Sequence, residues 1–342
     1  MILAGEIGAT RTRLAAFNAE GNRLERVVEK TYPSQELTGL SEILPQFIRT
    51  EGIPVHSACF GVAGPVRNGR SKISNLPWII DARELAAQLK LNSVGLLNDM
   101  EAYAYGIDAL DSKDFVTLNE GSEDAEGNRA LISAKTGLGV AGLYWDGFRH
   151  HPFACEGGHA DFAPTTDLQA ELLAYLRKKY DRVSCERILS GPGIRNIYEF
   201  LRDTRKAEEP AWLKEQIDAA HDPTPVISQI GLEGKAAICE QALSIFVGVF
   251  GAEAGNCALQ YMATGGVFIG GSIAAKIVPK MKEPVFLESF LDKGRLEVLL
   301  NDMPVKIVLS DDCGLSGAAR YTLVQKAFRP AGSSPAAGTR QS

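Results

Sequence analysis

Two stretches of this chain, more than a hundred residues apart, carry the same punctuation: an apolar strand, a glycine turn, a second apolar strand. The first runs over 2–6, turns at Gly8 and continues over 11–17, and a Gly21-Asn22 turn leads to a third strand over 24–32. The second runs over 130–134, turns at Thr136-Gly137-Leu138-Gly139 and continues over 140–144. Apolar runs bounded by glycine read as β-hairpins. A hairpin opening each half of the chain predicts two sheets and an old internal duplication, visible as pattern and not as identity. At 342 residues the chain is longer than one core usually organises, which fits two lobes.

The remaining pattern alternates strand and helix, so the expected class is α/β. Strands are predicted over 55–62, 93–97, 263–269 and 304–309, and helices over 82–89, 168–180, 193–203 and 315–327. Apolar spacing over 40–48 predicts a helix despite Pro45. The long apolar stretch 234–262, rich in Ala and Gly, reads as one or two buried helices. The end, 329–342, is Pro, Ala, Gly and Ser without periodicity and is expected to be disordered.

Charge and cysteine usage narrow the function. The 36 Lys+Arg against 42 Asp+Glu leave a net charge of -6, and no basic run reaches five residues, so no nucleic-acid partner is expected. Charged residues and glycines interrupt the apolar stretches before the length of a membrane span, and the first residues read as a strand rather than a leader, so no membrane partner is expected. Six cysteines without a C-x-x-C pair argue against a zinc ribbon or a disulfide framework and for a reducing cytoplasm.

Glycine turns let backbone N–H groups approach a phosphate, because no Cβ blocks the way. Three occur beside apolar strands: Gly8-Ala9-Thr10, Thr136 to Gly139, and Gly265-Gly266 through Gly270-Gly271. Together they suggest a nucleotide held between two lobes. Asn98-Asp99 falls where a strand ends and a helix begins; Asp99 is either an N-cap or a carboxylate at the sheet's carboxyl edge, where α/β sites gather. Glu156, His159 and Asp161 form a polar cluster with a single histidine, better suited to hydrogen-bonding a polyhydroxy ligand than to holding a metal. Ser184 before Cys185-Glu186 reads as a helix N-cap. His56, His150, His151 and His221 are assigned to structure or surface.

These residues resemble the bacterial ATP-dependent glucokinases of the actin-like, hexokinase-type sugar-kinase superfamily. The matching motifs are GVAGPV at 61–66, SNLPW at 74–78, LLND at 96–99, TGLG at 136–139, EGGHADFAP at 156–164, SCERILSGPG at 184–193, GAEAGNCAL at 251–259 and TGGVFIGG at 264–271. The resemblance implies two actin-like (ribonuclease H-like) lobes with mixed sheets and a cleft between them: a small lobe of 1–108 plus 311–328 and a large lobe of 109–310. It implies transfer of the ATP γ-phosphoryl group to the 6-hydroxyl of glucose, giving glucose 6-phosphate and ADP, in a cytoplasmic homodimer. Asp99 would be the general base. Asn75, Asn98, Glu156, His159 and Glu186 would hold the sugar. Gly8, Thr10, Arg11, Thr136, Gly137, Gly265, Gly266 and Gly270 would contact the nucleotide, and Glu6 would meet the Mg2+ that bridges its phosphates.

The phosphate side departs from the family pattern. Where that pattern reads Asp-x-Gly-Gly-Thr-Asn, this chain has Glu6-Ile7-Gly8-Ala9-Thr10-Arg11, and Lys135 replaces a glycine before Thr136. Glu6 moves the carboxylate by roughly an ångström, which magnesium tolerates poorly. Ala9 adds a methyl that is strained if φ is positive. Arg11 and Lys135 add positive charge that either grips phosphate or fills its place. Two readings follow: a working glucokinase, or a sugar-binding pseudokinase or engineered variant with impaired nucleotide-phosphate binding.

Overall fold

The computed structural model describes residues 1–21 and 23–328; Asn22 of the expected turn and the expected disordered tail over 329–342 lie outside them. The chain divides into two units, one of Met1–Ala109 with the C-terminal segment from Asp312, the other of Leu110–Asp311.

The first unit is built on a five-stranded sheet. Its strands are β1 (Ile2–Ile7), β2 (Arg11–Glu20), β3 (Arg23–Pro33), β4 (Ser57–Val62) and β7 (Gly95–Asn98), in the spatial order β3-β2-β1-β4-β7. β1, β2 and β3 form the antiparallel meander, and β4 and β7 run parallel to β1. A separate two-stranded ribbon pairs β5 (Arg70–Lys72) with β6 (Ile79–Asp81). Parallel strands are buried on both faces. Accordingly Leu3 and Ile7 of β1 join a core with Leu44 and Phe47, while Ile2 and Ala4 face Leu315 and Ala319.

The second unit repeats the scheme. β9 (Arg129–Ala134), β10 (Leu138–Trp145) and β11 (His150–Ala154) form its meander, and β12 (Val267–Gly270) and β13 (Val305–Val308) run parallel to β9. An antiparallel edge strand, β8 (Phe115–Asn119), completes the order β11-β10-β9-β12-β13-β8. The duplicated hairpins of the sequence therefore open two sheets of one plan, the actin-like α/β architecture that the resemblance implied.

The helices follow their local chemistry. The helix Ala82–Leu89 starts at Asp81, whose carboxylate accepts from the N–H groups of Arg83 and Glu84. The helix Leu40–Glu51 contains Pro45, which cannot bond the carbonyl one turn back. The Gln88 side-chain amide donates to that orphaned Ser41 carbonyl at 3.0 Å, so the helix continues through the proline. The 234–262 stretch becomes a single helix, Ala237–Tyr261, apolar on every side and without an amphipathic stripe. It is long and apolar enough to cross a membrane, contrary to the reading of interrupted apolar stretches. However, 78% of its most apolar window is buried inside the protein, as in a soluble core helix.

Candidate active site

The parallel strands of the first unit end in register. Ile7 pairs with Val62 and Val62 with Asn98, which places the Gly8 turn, the Ala63-Gly64 loop and the start of the helix Asp99–Ile107 at one sheet edge. This is the carboxyl edge where open α/β sheets bind ligands. Asp99 is the first residue of that helix, and the N-cap is Asn98, which corrects the reading of an N-cap aspartate. The Asn98 Oδ1 accepts from the Met100 and Glu101 N–H groups at 2.9 and 3.4 Å, and its Nδ2 donates to the Gly64 carbonyl at 3.2 Å. Asn98 is buried. Asn75 is exposed in a neighbouring turn with φ of 61°, tied to the same loop by the Ser74 N–H donating to the Ala63 carbonyl.

The Asp99 helix is braced from behind. A Cβ at Gly317 would overlap the Ala102 carbonyl oxygen, so the last helix, Cys313–Phe328, lies backbone to backbone against it. Burial raises the Glu101 carboxyl to about 7, with the Asn98 N–H acting in the opposite direction.

The first glycine turn is pinned by the Ser34 hydroxyl, which donates to the Gly8 carbonyl, and is closed by the Gly8 N–H on the Arg11 carbonyl. Thr10 and Arg11 are exposed. Ala9 lies outside the left-handed region, so the anticipated backbone strain is absent. Glu6 is not a solitary carboxylate. Its Oε2 accepts from Arg13 at 3.2 Å, and the same guanidinium donates to Glu29 at 2.8 Å and Asp312 at 2.7 Å. The Arg13 side chain is only 8% exposed. Burial opposes its charge, but Glu29 and Asp312 outweigh that and raise its pKa. Burial likewise pushes Asp312 up, and the hydrogen bonds from Arg13 and Arg26 more than reverse it. Sequence reasoning missed Arg13; the available signal was a charged residue inside strand β2, directly before the apolar run Leu14 to Phe17.

The donor set bears on magnesium. Among the described residues no group of three or more His, Cys, Asp or Glu could hold a metal ion. Magnesium usually takes one or two carboxylates plus substrate phosphates, so a Glu6 carboxylate steadied by Arg13 fits an ion that arrives with its nucleotide and not a cage made by protein.

In the second unit the TGLG turn joins β9 to β10, closed by the Lys135 N–H on the Gly137 carbonyl at 2.8 Å. Gly270 ends β12 opposite Ser133 of β9, and a Cβ at Gly271 would overlap the Ala134 carbonyl. Those glycines therefore share the edge of Thr136 and Gly137. Gly265 and Gly266 do not: they precede β12, where the Gly265 N–H donates to the Asn128 carbonyl before β9 begins. The expected third turn is thus two turns at opposite ends of one strand, because the apolar residues Val267–Ile269 between the glycine pairs form that strand.

Beside this edge His159 and Glu186 line one open pocket of about 450 Å³, with Tyr180, Arg182, Ser184 and Arg187. Two loops are zipped together to make it. The Phe162 N–H donates to the Val183 carbonyl and the Cys185 N–H to the Ala160 carbonyl. Arg182 donates to the His159 carbonyl at 2.8 Å and to Asp161 at 2.6 Å. Arg187 stacks over the Tyr180 ring at 4.2 Å. Glu156 is exposed, one turn of 3-10 helix before His159. Ser184 makes no cap bond; the following helix, Gly191–Asp203, is capped by Ser190, whose hydroxyl also donates to the Glu186 carbonyl. Serine three residues before a run of helical spacing was the signal, read six residues early. His150 and His151 serve structure, bonding the Gly127 carbonyl and Asp146.

Known proteins share this sequence pattern and fold. A sequence profile of the glucokinase family matches residues 3–325. A glucokinase of Nostoc sp. (strain PCC 7120) is 40% identical over 93% of this chain and 98% of its own. The crystal structure of a glucokinase from an Antarctic psychrotroph superposes with a TM-score of 0.79 at 32% identity, covering 94% of this chain and 98% of the other. A glucokinase of the ROK family from Streptomyces griseus, solved with glucose and AMPPNP, shares the fold at a TM-score of 0.63 and 18% identity, over 94% and 98% of the two chains.

Proposed function

The chain belongs to the glucokinase family, whose reaction is ATP-dependent phosphorylation of glucose, and from that premise we propose how its own residues do the work. Asp99 accepts the proton of the 6-hydroxyl as that oxygen attacks the γ-phosphorus. Phosphoryl transfer asks the protein mainly for alignment and for stabilisation of charge on the transferring group. Asn98 braces the helix turn that carries Asp99 and, with Asn75, meets the sugar. His159, Glu156 and Glu186 bond the sugar hydroxyls, which a carboxylate and an imidazole match as acceptor and donor.

The N–H groups of the two glycine turns, with Thr10, Thr136, Gly137 and Gly270, receive the phosphates, and Arg11 and Lys135 add fixed positive charge there. Magnesium brought by the nucleotide would meet Glu6 and would neutralise charge on the β- and γ-phosphates. A cytoplasmic homodimer belongs to the same reading, supported by family likeness.

The observation that carries this reading is the shared pocket of His159 and Glu186, with the Glu186 carboxylate against a glycine turn. A coupled assay of glucose 6-phosphate formation tests it. Turnover that requires both glucose and Mg-ATP and vanishes in Asp99→Ala is the expected result. Glucose binding without turnover would instead favour the pseudokinase.

A further inference from the structure

Glu186 touches more than the pocket. Its Oε2 accepts from the Leu138 N–H at 3.0 Å, within the TGLG turn. A Cβ on Gly137 would lie 2.6 Å from that same oxygen, so the absence of a side chain at Gly137 is what lets the carboxylate reach the backbone. Glu186 is itself held from behind, because the Ser190 hydroxyl donates to its carbonyl at 2.7 Å. One side chain therefore lies on a pocket wall and on a turn that the pocket does not include.

We propose that Glu186 couples the two substrates: engagement of its carboxylate by a sugar hydroxyl fixes the Thr136–Leu138 turn and so strengthens nucleotide binding. This rests on the glucokinase reading and deepens it. Two physical effects act in the same direction. Without sugar, the carboxylate places a negative charge on a turn that must receive phosphate, and a hydroxyl hydrogen bond draws part of that charge away. A sugar held by one carboxylate oxygen also immobilises the other against Leu138, so the turn is already ordered when nucleotide arrives. Coupling of this kind is reciprocal, and glucose and nucleotide must strengthen each other by the same factor.

Isothermal titration calorimetry with glucose and a non-hydrolysable ATP analogue with magnesium tests the idea. In the wild-type protein, saturating glucose is expected to tighten analogue binding by about 10-fold, and saturating analogue to tighten glucose equally. Two variants separate coupling from mere structure. Gly137→Ala drives the carboxylate off the turn without removing it, and φ at Gly137 is not left-handed, so alanine is compatible with the backbone. Glu186→Asp shortens the reach by one methylene. Both are expected to reduce the factor to below about 2-fold, with Gly137→Ala still binding glucose and each variant checked by its melting curve. A wild-type factor of one, with both ligands bound, would overturn the coupling alone. A factor unchanged in both folded variants would do the same. Failure of the wild-type protein to bind glucose at all would overturn the coupling and the glucokinase reading together.

Discussion

The two glycine hairpins share a strand-turn-strand plan but differ in loop length, Ile7 pairing with Thr12 in the first and Ala134 with Leu138 in the second, and in where their charges lie. Each is a turn between antiparallel strands closed by one main-chain bond, Gly8 to Arg11 in the first and Lys135 to Gly137 in the second. In the first, the acid is paired: Glu6 shares the buried Arg13 guanidinium with Glu29 and Asp312. In the second, the acid is presented: Glu186 reaches over the turn and caps the Leu138 N–H while also lining a pocket. The two hairpins share one plan and differ in where the charges are put. The contrast is between a fixed ion-pair network in the first unit and, in the second, a carboxylate shared by a turn and a pocket.

If that division holds, substitutions in the two units fail in different kinetic parameters. The largest effect is expected at Asp99. Asp99→Asn removes the proton acceptor and lowers kcat by about 10² to 10⁴, while His159→Ala raises the KM for glucose more than it lowers kcat; steady-state kinetics on the pair checks both. Next comes Arg13. Removing the buried Arg13 guanidinium takes the cation from Glu6 and leaves Glu29 and Asp312 to Arg26, so Arg13→Ala is expected to cost about 1–3 kcal/mol of stability in a denaturant titration. In the second unit, Arg182 is exposed in its pair with Asp161. Arg182→Ala is expected to cost less than about 1 kcal/mol and to raise the KM for glucose.

The phosphate-side residues singled out in the sequence fall on both hairpins, and changing them is expected to give a smaller effect. Reverting Glu6 to Asp, Ala9 to Gly, Arg11 to Asn and Lys135 to Gly is expected to raise kcat by up to about tenfold with little change in glucose affinity. An unchanged kcat would show that the Arg13 network had already accommodated Glu6. The smallest effect is a pH dependence confined to the first unit. The Glu101 carboxyl, raised by burial to about 7 from the ordinary glutamate range, binds its proton more tightly folded than unfolded. Its contribution therefore favours the folded state at the acid end and is lost as pH rises from about 4.5 through 7. Melting temperatures across that window should show a declining component that Glu101→Gln removes.

Much of this was legible in the residues. Apolar periodicity and glycine punctuation located both hairpins, and the Asp81 cap located its helix, because those signals act within a few residues. Site membership of His159 and Glu186 came from motif resemblance, and the fold then brought them, 27 residues apart in sequence, onto one pocket. Three features could not be read locally. The Asn98 cap and the Asp99 cap are alternatives one residue apart, decided by the strand register that ends β7 at Asn98. The glycine pairs at 265–266 and 270–271 look like one loop until pairing with β9 makes the residues between them a strand. Arg13 finds its partners in Glu29 and in Asp312, 299 residues away, and no local pattern announces such a contact.

The most direct measurement is a crystal structure of the protein with glucose and a non-hydrolysable ATP analogue. The prediction is a 6-hydroxyl oxygen about 2.7 Å from an Asp99 carboxylate oxygen, with His159 and Glu186 on the remaining hydroxyls. A bound hexose that leaves the Asp99 carboxylate without a sugar hydroxyl would contradict the assignment of the base and, with it, the division of labour between the two units.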